Sequence, residues 1–464
     1  MPIALVHLAA LLAAIPPPAS TEASADAVAA EVLAASPQAG LTIAVARGGT
    51  TLAKGYGQAD ARGKKNASGD TVYPICSISK NIAAAAILKL AEAGRLDLDA
   101  PVARYLAPDP LPGRAVTVRQ LLNHTSGAGS YNDGPDWSAL APRPIPRDEM
   151  LARIRSAHHD APGEAWGYSN SAFYLAGLIV ERVTGKSYSE FLARSFFGPL
   201  GMRQARACSD VPVADRAHGY RVTRAGLEDA ETESWENPFA GGGLCMTAGD
   251  LLAWQAALDQ GKALAPASVR RMRAPTRLSS GRTLDYGLGT RLGALEGHPV
   301  LGHTGGGQGF STVLLRFPQD DMTIVVLATT SGAEARVVAA RLARRLLGLP
   351  AFSPKDLPVP PDLVQALSGD WLGDYGPIHL QAAADRLAAR LGDAGPTLPM
   401  GYQGDASFVV GDENVVRFVV EQGRSDLALE YVAGLFDSAT RRVGPGVTGG
   451  GAGRLVPAVR SVPR

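Results

Sequence analysis

The sequence predicts an α/β domain with an inserted helical region, followed by a small β domain. Three observations carry this. A helix and a hairpin open the chain, a helix- and loop-rich stretch fills its middle, and a strand meander with a closing helix follows. First and last segments of that unit should then meet in one mixed sheet.

In chain order, Ile3 to Ile15 is an apolar run broken only by His7, then come three prolines and Ala23-Ser24-Ala25. That pattern reads as a signal peptide over residues 1–25, and so as an exported, periplasmic or secreted bacterial protein. The run is too short to span a bilayer. Asp26 to Ala35 reads as a helix. Leu41–Arg47 and Thr50–Tyr56 form a hairpin about Gly48-Gly49. Ser77 to Ala93 is a helix stopped by Gly94, and Ala172 to Val183 a helix ended near Gly185. Leu284–Leu295, Val300–Thr304, Ser311–Phe317 and Met322–Thr329 are strands, and Glu334–Leu347 is a helix. The main domain therefore covers 26–349.

Pro350, Pro354, Pro358, Pro360 and Pro361 mark a linker over 350–362. Trp371–His379, Leu387–Leu391, Phe408–Val410, Val415–Val420 and Leu427–Val432 are short strands of a β domain over 363–443, and 444–464 is a Gly-rich flexible tail.

Composition excludes several classes. Among 464 residues, 45 Lys and Arg face 44 Asp and Glu, for a net charge of +1. No electrostatic footprint for nucleic acid or an anionic membrane exists. Cys76, Cys208 and Cys245 allow one disulfide at most and no cysteine-built zinc site. The partner expected is a small-molecule or peptide substrate, with no cofactor, no metal and no oligomeric state legible.

Chemistry is carried by three short motifs. In Ser77-Ile78-Ser79-Lys80, residues three apart on a helix share a face, so a hydroxyl and an amine can touch. Lys is scarce, eight in all, and Lys80 alone has Ser three positions before it. An N-cap Ser with a surface Lys is the plainer reading, but the uncharged flanks favour a buried or cleft-lining amine. Trp166-Gly167-Tyr168-Ser169-Asn170 enters a helix with a phenol and an amide; an N-cap Asn and a core Tyr would explain it equally. His303-Thr304-Gly305-Gly306-Gly307 ends a strand, where Gly lets a substrate approach the backbone. A glycine-rich hairpin turn is its alternative.

Taken together, the motifs resemble those of the penicillin-recognising serine hydrolases, most closely the class C β-lactamase-like group with its DD-peptidases and esterases. The resemblance covers roughly Asp26 to Leu347 and extends to Leu121-Leu122-Asn123-His124-Thr125-Ser126-Gly127, Pro162-Gly163, Pro199-Leu200-Gly201-Met202, Gly242-Gly243-Leu244 with Asp250, and Tyr286-Gly287-Leu288-Gly289. It implies a β-lactamase/transpeptidase-like domain, with an antiparallel sheet flanked by helices, and an accessory C-terminal β domain. It also implies hydrolysis of an amide or ester through an acyl-enzyme, as in a D-alanyl-D-alanine carboxypeptidase, D-peptidase or esterase. Alternatives are a class C-like β-lactamase and a non-catalytic relative that binds cell-wall peptides.

By the same resemblance Ser77 is the nucleophile and Lys80 and Tyr168 its bases. The backbone N–H groups of Ser77 and Gly306 form the oxyanion hole, and Asn170, His303, Thr304 and Gly305 bind substrate. A free hydroxyl needs a base. Ionising a Tyr of pKa about 10 at pH 7 costs roughly 4 kcal/mol, which a Lys ammonium about 4 Å away offsets by roughly the same amount. The two bases thus form one coupled unit, and sequence leaves open which takes the proton. Class C β-lactamases carry Lys where this chain has His303, so a substrate carboxylate should be held less firmly, and better as pH falls through the titration of His303.

Three decoys are set aside. Gly167-Tyr168-Ser169-Asn170-Ser171 nearly matches the Gly-x-Ser-x-Gly elbow but lacks its last Gly and a preceding buried strand. His158-His159-Asp160 lacks further ligands at metal spacing. His124 is expected to be a structural loop residue, and Cys76 a packing residue.

Overall fold

A computed structural model describes residues 20–35, 40–133, 136–157, 160–223, 226–330, 335–373, 376–391, 397–404, 407–410, 414–418, 428–433 and 436–442. The apolar run Ile3–Ile15, His158-His159 and the Gly-rich tail lie outside them. No helix among the described residues is long and apolar enough to cross a membrane.

One seven-stranded sheet organises the main domain. Its order is Arg291–Leu295, His298–Gly307, Phe310–Phe317, Met322–Ala328, Gly40–Arg47, Thr50–Asp60 and Lys65–Asn66. First and last segments of the unit meet, with Leu41 opposite Ala328 and Arg47 opposite Met322. All its pairings are antiparallel, as the family resemblance implies and where the order of elements alone suggested a mixed sheet, because each later strand returns through a tight hairpin and needs no crossover. Gly48 and Gly49 take φ +54 and +79, the left-handed pair that a two-residue hairpin turn requires.

The central strands are buried on both faces, which is why they read as nearly unbroken apolar runs. On one face lie the helices Thr21–Ala35 and Ala335–Leu347, the latter burying Ala335, Val338, Ala339, Leu342 and Leu346 at helical spacing. The other face packs on Ser79–Glu92, whose Ile82 to Leu88 are all buried, and on the helical region behind it. A helix apolar on all sides belongs in a core, and this one carries the Lys80 end of the first motif into it.

Three boundaries differ from expectation. The opening helix begins at Thr21, with Ser20 Oγ accepting the Ala23 N–H at 3.1 Å. A cut after Ala25 would remove its first turn, including the Glu22–Lys54 ion pair. Leu284–Leu295 is not one strand: Thr283–Leu284 and Arg291–Leu295 are separated by a loop. There Gly289, at φ +60, lies so close to the Lys80 carbonyl that a Cβ would come within 2.6 Å of it. Trp371–His379 is likewise two strands, Gly369–Gly373 and Gly376–Ala383.

The β domain is a closed eight-stranded barrel, sealed by pairing of Gly369–Gly373 with Phe436–Arg442. Two of its strands, Thr397–Gly404 and Phe436–Arg442, have no sequence signal, the first for its Pro and glycines and the second for its polar run. Part of the expected linker docks on the barrel: Leu357 bridges Tyr402, and Val359 is buried with Leu367 and Trp371. Cys208 and Cys245 form the one disulfide, and Cys76 is free and buried.

Candidate active site

The nucleophile candidate sits at a strained entry. Cys76 has φ +48, a region costly for a side chain with a Cβ, and a 3-10 turn, Cys76–Ile78, then runs straight into the helix Ser79–Glu92. The Ser77 hydroxyl is left partly exposed while Lys80, one turn on, is fully buried. Lys80 Nζ lies 3.1 Å from Ser77 Oγ. Its other contacts are the carbonyl oxygens of Asn170 at 2.8 Å and Gly241 at 2.7 Å. Tyr168, 91 residues along the chain, donates its O–H to the same Ser77 Oγ at 2.8 Å.

Burial and the nearby Arg291 guanidinium pull the Lys80 amine down to about 7. Arg291 is the residue sequence reasoning missed. It is buried, and its guanidinium carbon lies 5.9 Å from the Tyr168 ring centre and 5.8 Å from that of Tyr286. An arginine leading an otherwise uncharged strand was the signal available, since a charged side chain that the fold buries needs a reason to be there.

Tyr168 is held from below. His124, at φ +61 and fully buried, stacks on its ring at 4.5 Å and accepts the Ser169 N–H on Nδ1 at 3.0 Å. His124 was read as a structural residue, and the structure makes it the platform for the phenol. Burial, with Lys80, His303 and Arg291 nearby, keeps it neutral far below the usual imidazole range. The helix cap is Ser169, whose buried Oγ accepts the Ala172 N–H at 3.1 Å, and not Asn170. This disposes of Ser169 as a nucleophile and frees the Asn170 amide. That amide donates to Asn132 Oδ1 at 3.0 Å, which turns its oxygen towards Lys80.

The third motif closes the site from the sheet. Gly305 faces Thr312, and a Cβ there would meet Thr312 Oγ1 at 2.4 Å, the Ile75 carbonyl at 2.6 Å and Cys76 Cβ at 3.0 Å. Only glycine brings this strand so near the nucleophile turn. Gly306 follows, opposite Ser311. Thr304 is partly exposed beside them.

His303 departs from expectation. It is fully buried, with Nε2 3.1 Å from the Tyr286 hydroxyl and Nδ1 2.6 Å from the Thr304 carbonyl. Burial and the Arg291 and Lys80 cations hold it well below the usual imidazole range. It stays neutral, as the sequence reading had it at pH 7, but it is sealed in the core and anchors the strand, so the expected tightening of carboxylate binding as pH falls has no exposed imidazole to act through. Among the described residues no cluster of His, Cys, Asp or Glu is placed to hold a metal.

An antiparallel sheet in which the first strand pairs with the last, with a serine at a core helix's start met by a lysine and a distant tyrosine, defines a serine hydrolase of the penicillin-recognising type. The chain belongs to the β-lactamase family, whose model matches residues 25–348. It is 30% identical over 306 residues to a penicillin-binding protein of Bacillus subtilis, covering 62% of this chain and 67% of that one. A D-aminopeptidase of Brucella canis is 27% identical over 369 residues, covering 77% and 69%. Among solved structures, the octameric penicillin-binding protein homologue from Pyrococcus abyssi superposes with TM-score 0.64 at 24% identity, covering 90% and 99%. A D-stereospecific amidohydrolase from Streptomyces gives 0.61 at 25%, covering 72% and 100%.

Proposed function

We propose that this protein is an exported hydrolase that cleaves an amide or ester by way of an acyl-enzyme on Ser77, with D-amino-acid peptides, amides or esters as its substrates. The observation that carries the reading is the Ser77 hydroxyl placed between the Lys80 amine and the Tyr168 phenol. Lys80 is the base. Burial and Arg291 bring its amine down to about 7, which makes the free-amine form accessible at neutral pH, and two carbonyl oxygens take its two N–H bonds, leaving the lone pair for the Ser77 proton. As the Ser77 Oγ–carbon bond forms, that proton passes to Nζ. The negative charge on the carbonyl oxygen falls to the Ser77 and Gly306 backbone N–H groups, each such donor being worth roughly 10²–10³ in rate.

Breaking the scissile bond requires a proton on the leaving group. Lys80 is sealed from solvent, whereas Tyr168 is partly exposed and touches the same Oγ. Tyr168 gives its proton to the leaving group and regains one from Lys80; water attacks the ester by the reverse relay. Asn170 orients Lys80, while Thr304 and Gly305 line the sheet side of the substrate.

A neutral, buried His303 offers no charge to a substrate carboxylate, which favours peptidase, amidase or esterase chemistry over efficient β-lactam hydrolysis. The names of the relatives point the same way. Export is supported by the N-terminal apolar run and by the Cys208–Cys245 disulfide, which persists in oxidising compartments.

A fluorophosphonate probe followed by peptide mass mapping tests the reading, with a D-alanyl-D-alanine peptide, a chromogenic cephalosporin and a p-nitrophenyl ester to rank substrates. An adduct on Ser77 that is absent from Ser77→Ala is expected. Folded protein that carries no adduct and turns over none of the three would instead be a binding protein.

A further inference from the structure

Past Gly302 the strand that carries Gly305 and Gly306 has little to fix it. Its pairing with Arg291–Leu295 ends where Gly302 faces Arg291. From His303 onward, among the described residues, it is paired along one edge, by Phe310–Leu314. Gly302, Gly305, Gly306, Gly307 and Gly309 crowd this stretch, and glycine is the residue whose backbone is most costly to order. Among the described residues from Gly302 to Gly309, His303 is the one with a buried side chain. Whatever holds the His303 ring therefore holds the strand.

Two hydrogen bonds hold that ring. Nδ1 lies 2.6 Å from the Thr304 carbonyl and Nε2 3.1 Å from the Tyr286 hydroxyl. A carbonyl can only accept, so Nδ1 carries the ring proton; in the neutral ring Nε2 then accepts, and the Tyr286 O–H donates to it. Tyr286 is itself fixed. It is buried, with its ring against His124 at 5.1 Å and Trp166 at 5.6 Å. Its carbonyl accepts the Thr276 N–H at 2.9 Å, and its backbone bridges Arg291. The same His124 ring lies against Tyr168. One phenol thus ties the glycine-rich strand to the platform beneath Tyr168.

We propose that Tyr286 is a positioning residue for the oxyanion site: its hydroxyl fixes the His303 ring with the proton on Nδ1, and that N–H fixes the direction of the Thr304 carbonyl. This rests on the acyl-enzyme reading above. Backbone groups along a strand repeat their direction every second residue. The direction of Thr304 therefore sets that of Gly306, whose N–H takes up charge from the reacting carbonyl oxygen. Without the Tyr286 hydroxyl the buried Nε2 loses its donor, and nothing specifies which nitrogen carries the proton or how the ring is turned. The Thr304 carbonyl is then released, and in a run of glycines the release reaches Gly306. Acylation suffers and substrate binding does not, because an oxyanion donor acts on charge that develops in the transition state.

The test uses the full chain and Tyr286→Phe, which keeps the packed ring and removes the hydroxyl. Single-turnover acylation by a p-nitrophenyl ester should slow by about tenfold or more, part of the worth of one oxyanion donor. The half-saturating ester concentration should stay nearly unchanged. In difference infrared spectra the carbonyl stretch of the Ser77 acyl-enzyme should move to higher wavenumber, since a misplaced donor polarises that carbonyl less. A second variant, His303→Asn, keeps an N–H donor near the place of Nδ1 and has no ring proton for Tyr286 to place. On that background Tyr286→Phe should slow acylation by less than about threefold, the coupling expected of two residues that act through one another. An equal loss on both backgrounds, or slower acylation with an unmoved carbonyl stretch, marks a merely structural residue and overturns the proposal. So does a smaller slowing than expected in Tyr286→Phe. Fluorophosphonate labelling of Ser77 is read in parallel. Labelling together with any of these results removes the positioning role alone, whereas absence of labelling in the unaltered enzyme removes the acyl-enzyme reading and this one with it.

Discussion

Replacing Arg291 by Met should move the acid limb of the pH–rate profile upwards. Lys80 Nζ lies 4.7 Å from the Tyr168 ring centre and the Arg291 guanidinium carbon 5.9 Å from it, so the two cations are within about 11 Å of one another. At that separation and an effective dielectric of about 20, their repulsion is roughly 1.5 kcal/mol, or about one pKa unit. Removing the guanidinium relieves the ammonium form, so Lys80 should rise from about 7 towards about 8. The base acts unprotonated, hence activity rises with pH through this value. At pH 7 the free-amine fraction drops from about a half to about a tenth, a loss of roughly fivefold that vanishes by about pH 9.5. The assay is kcat/KM for a p-nitrophenyl ester between pH 5.5 and 9.5, corrected for background hydrolysis. A loss of equal size at every pH, or a limb that moves down, would refute Lys80 as the base. Activity that falls through pH 7 as pH rises would instead assign the base to a Tyr168 phenolate needing the ammonium.

Further outcomes follow from the same geometry. Gly305→Ala should push the strand from the nucleophile turn, lowering stability by about 1–3 kcal/mol and kcat by more than tenfold; urea unfolding and single-turnover rates check it. His124→Phe keeps a ring beneath Tyr168 but leaves the buried Ser169 N–H unpaired, at a cost of about 1–3 kcal/mol. Its kcat should fall with little change in KM, and an unaltered kcat would dismiss the platform. Cys208→Ala with Cys245→Ala opens a crosslink spanning 37 positions, for which a loss of about 3–4 kcal/mol is expected; denaturation with and without reductant measures it.

Much of this was legible in the chain itself. The Gly48-Gly49 hairpin, the core helix after Ser77, the stops at Gly94 and Gly185, and the apolar strands of the sheet all follow from backbone periodicity and turn chemistry. The pairing of Ser77 with Lys80 is likewise local, because three residues along a helix is one turn. Sequence erred where a local signal had two meanings. Leu284–Leu295 reads as a strand but breaks at a loop where Gly289 must lie against the Lys80 backbone, and the N-cap alternative weighed for Asn170 belongs to Ser169.

What the sequence by itself determined is which side chains are candidates for the chemistry and on which elements they sit. The tertiary structure alone decided their electrical character. It brought Tyr168 across 91 residues to Ser77, buried Lys80 beside Arg291 so that its amine is free near neutrality, and turned His303 inward where it stays uncharged. The physical reason is range: periodicity and turns are fixed by neighbours in the chain, whereas a proton affinity is fixed by whatever charge and water the fold leaves within a few ångströms.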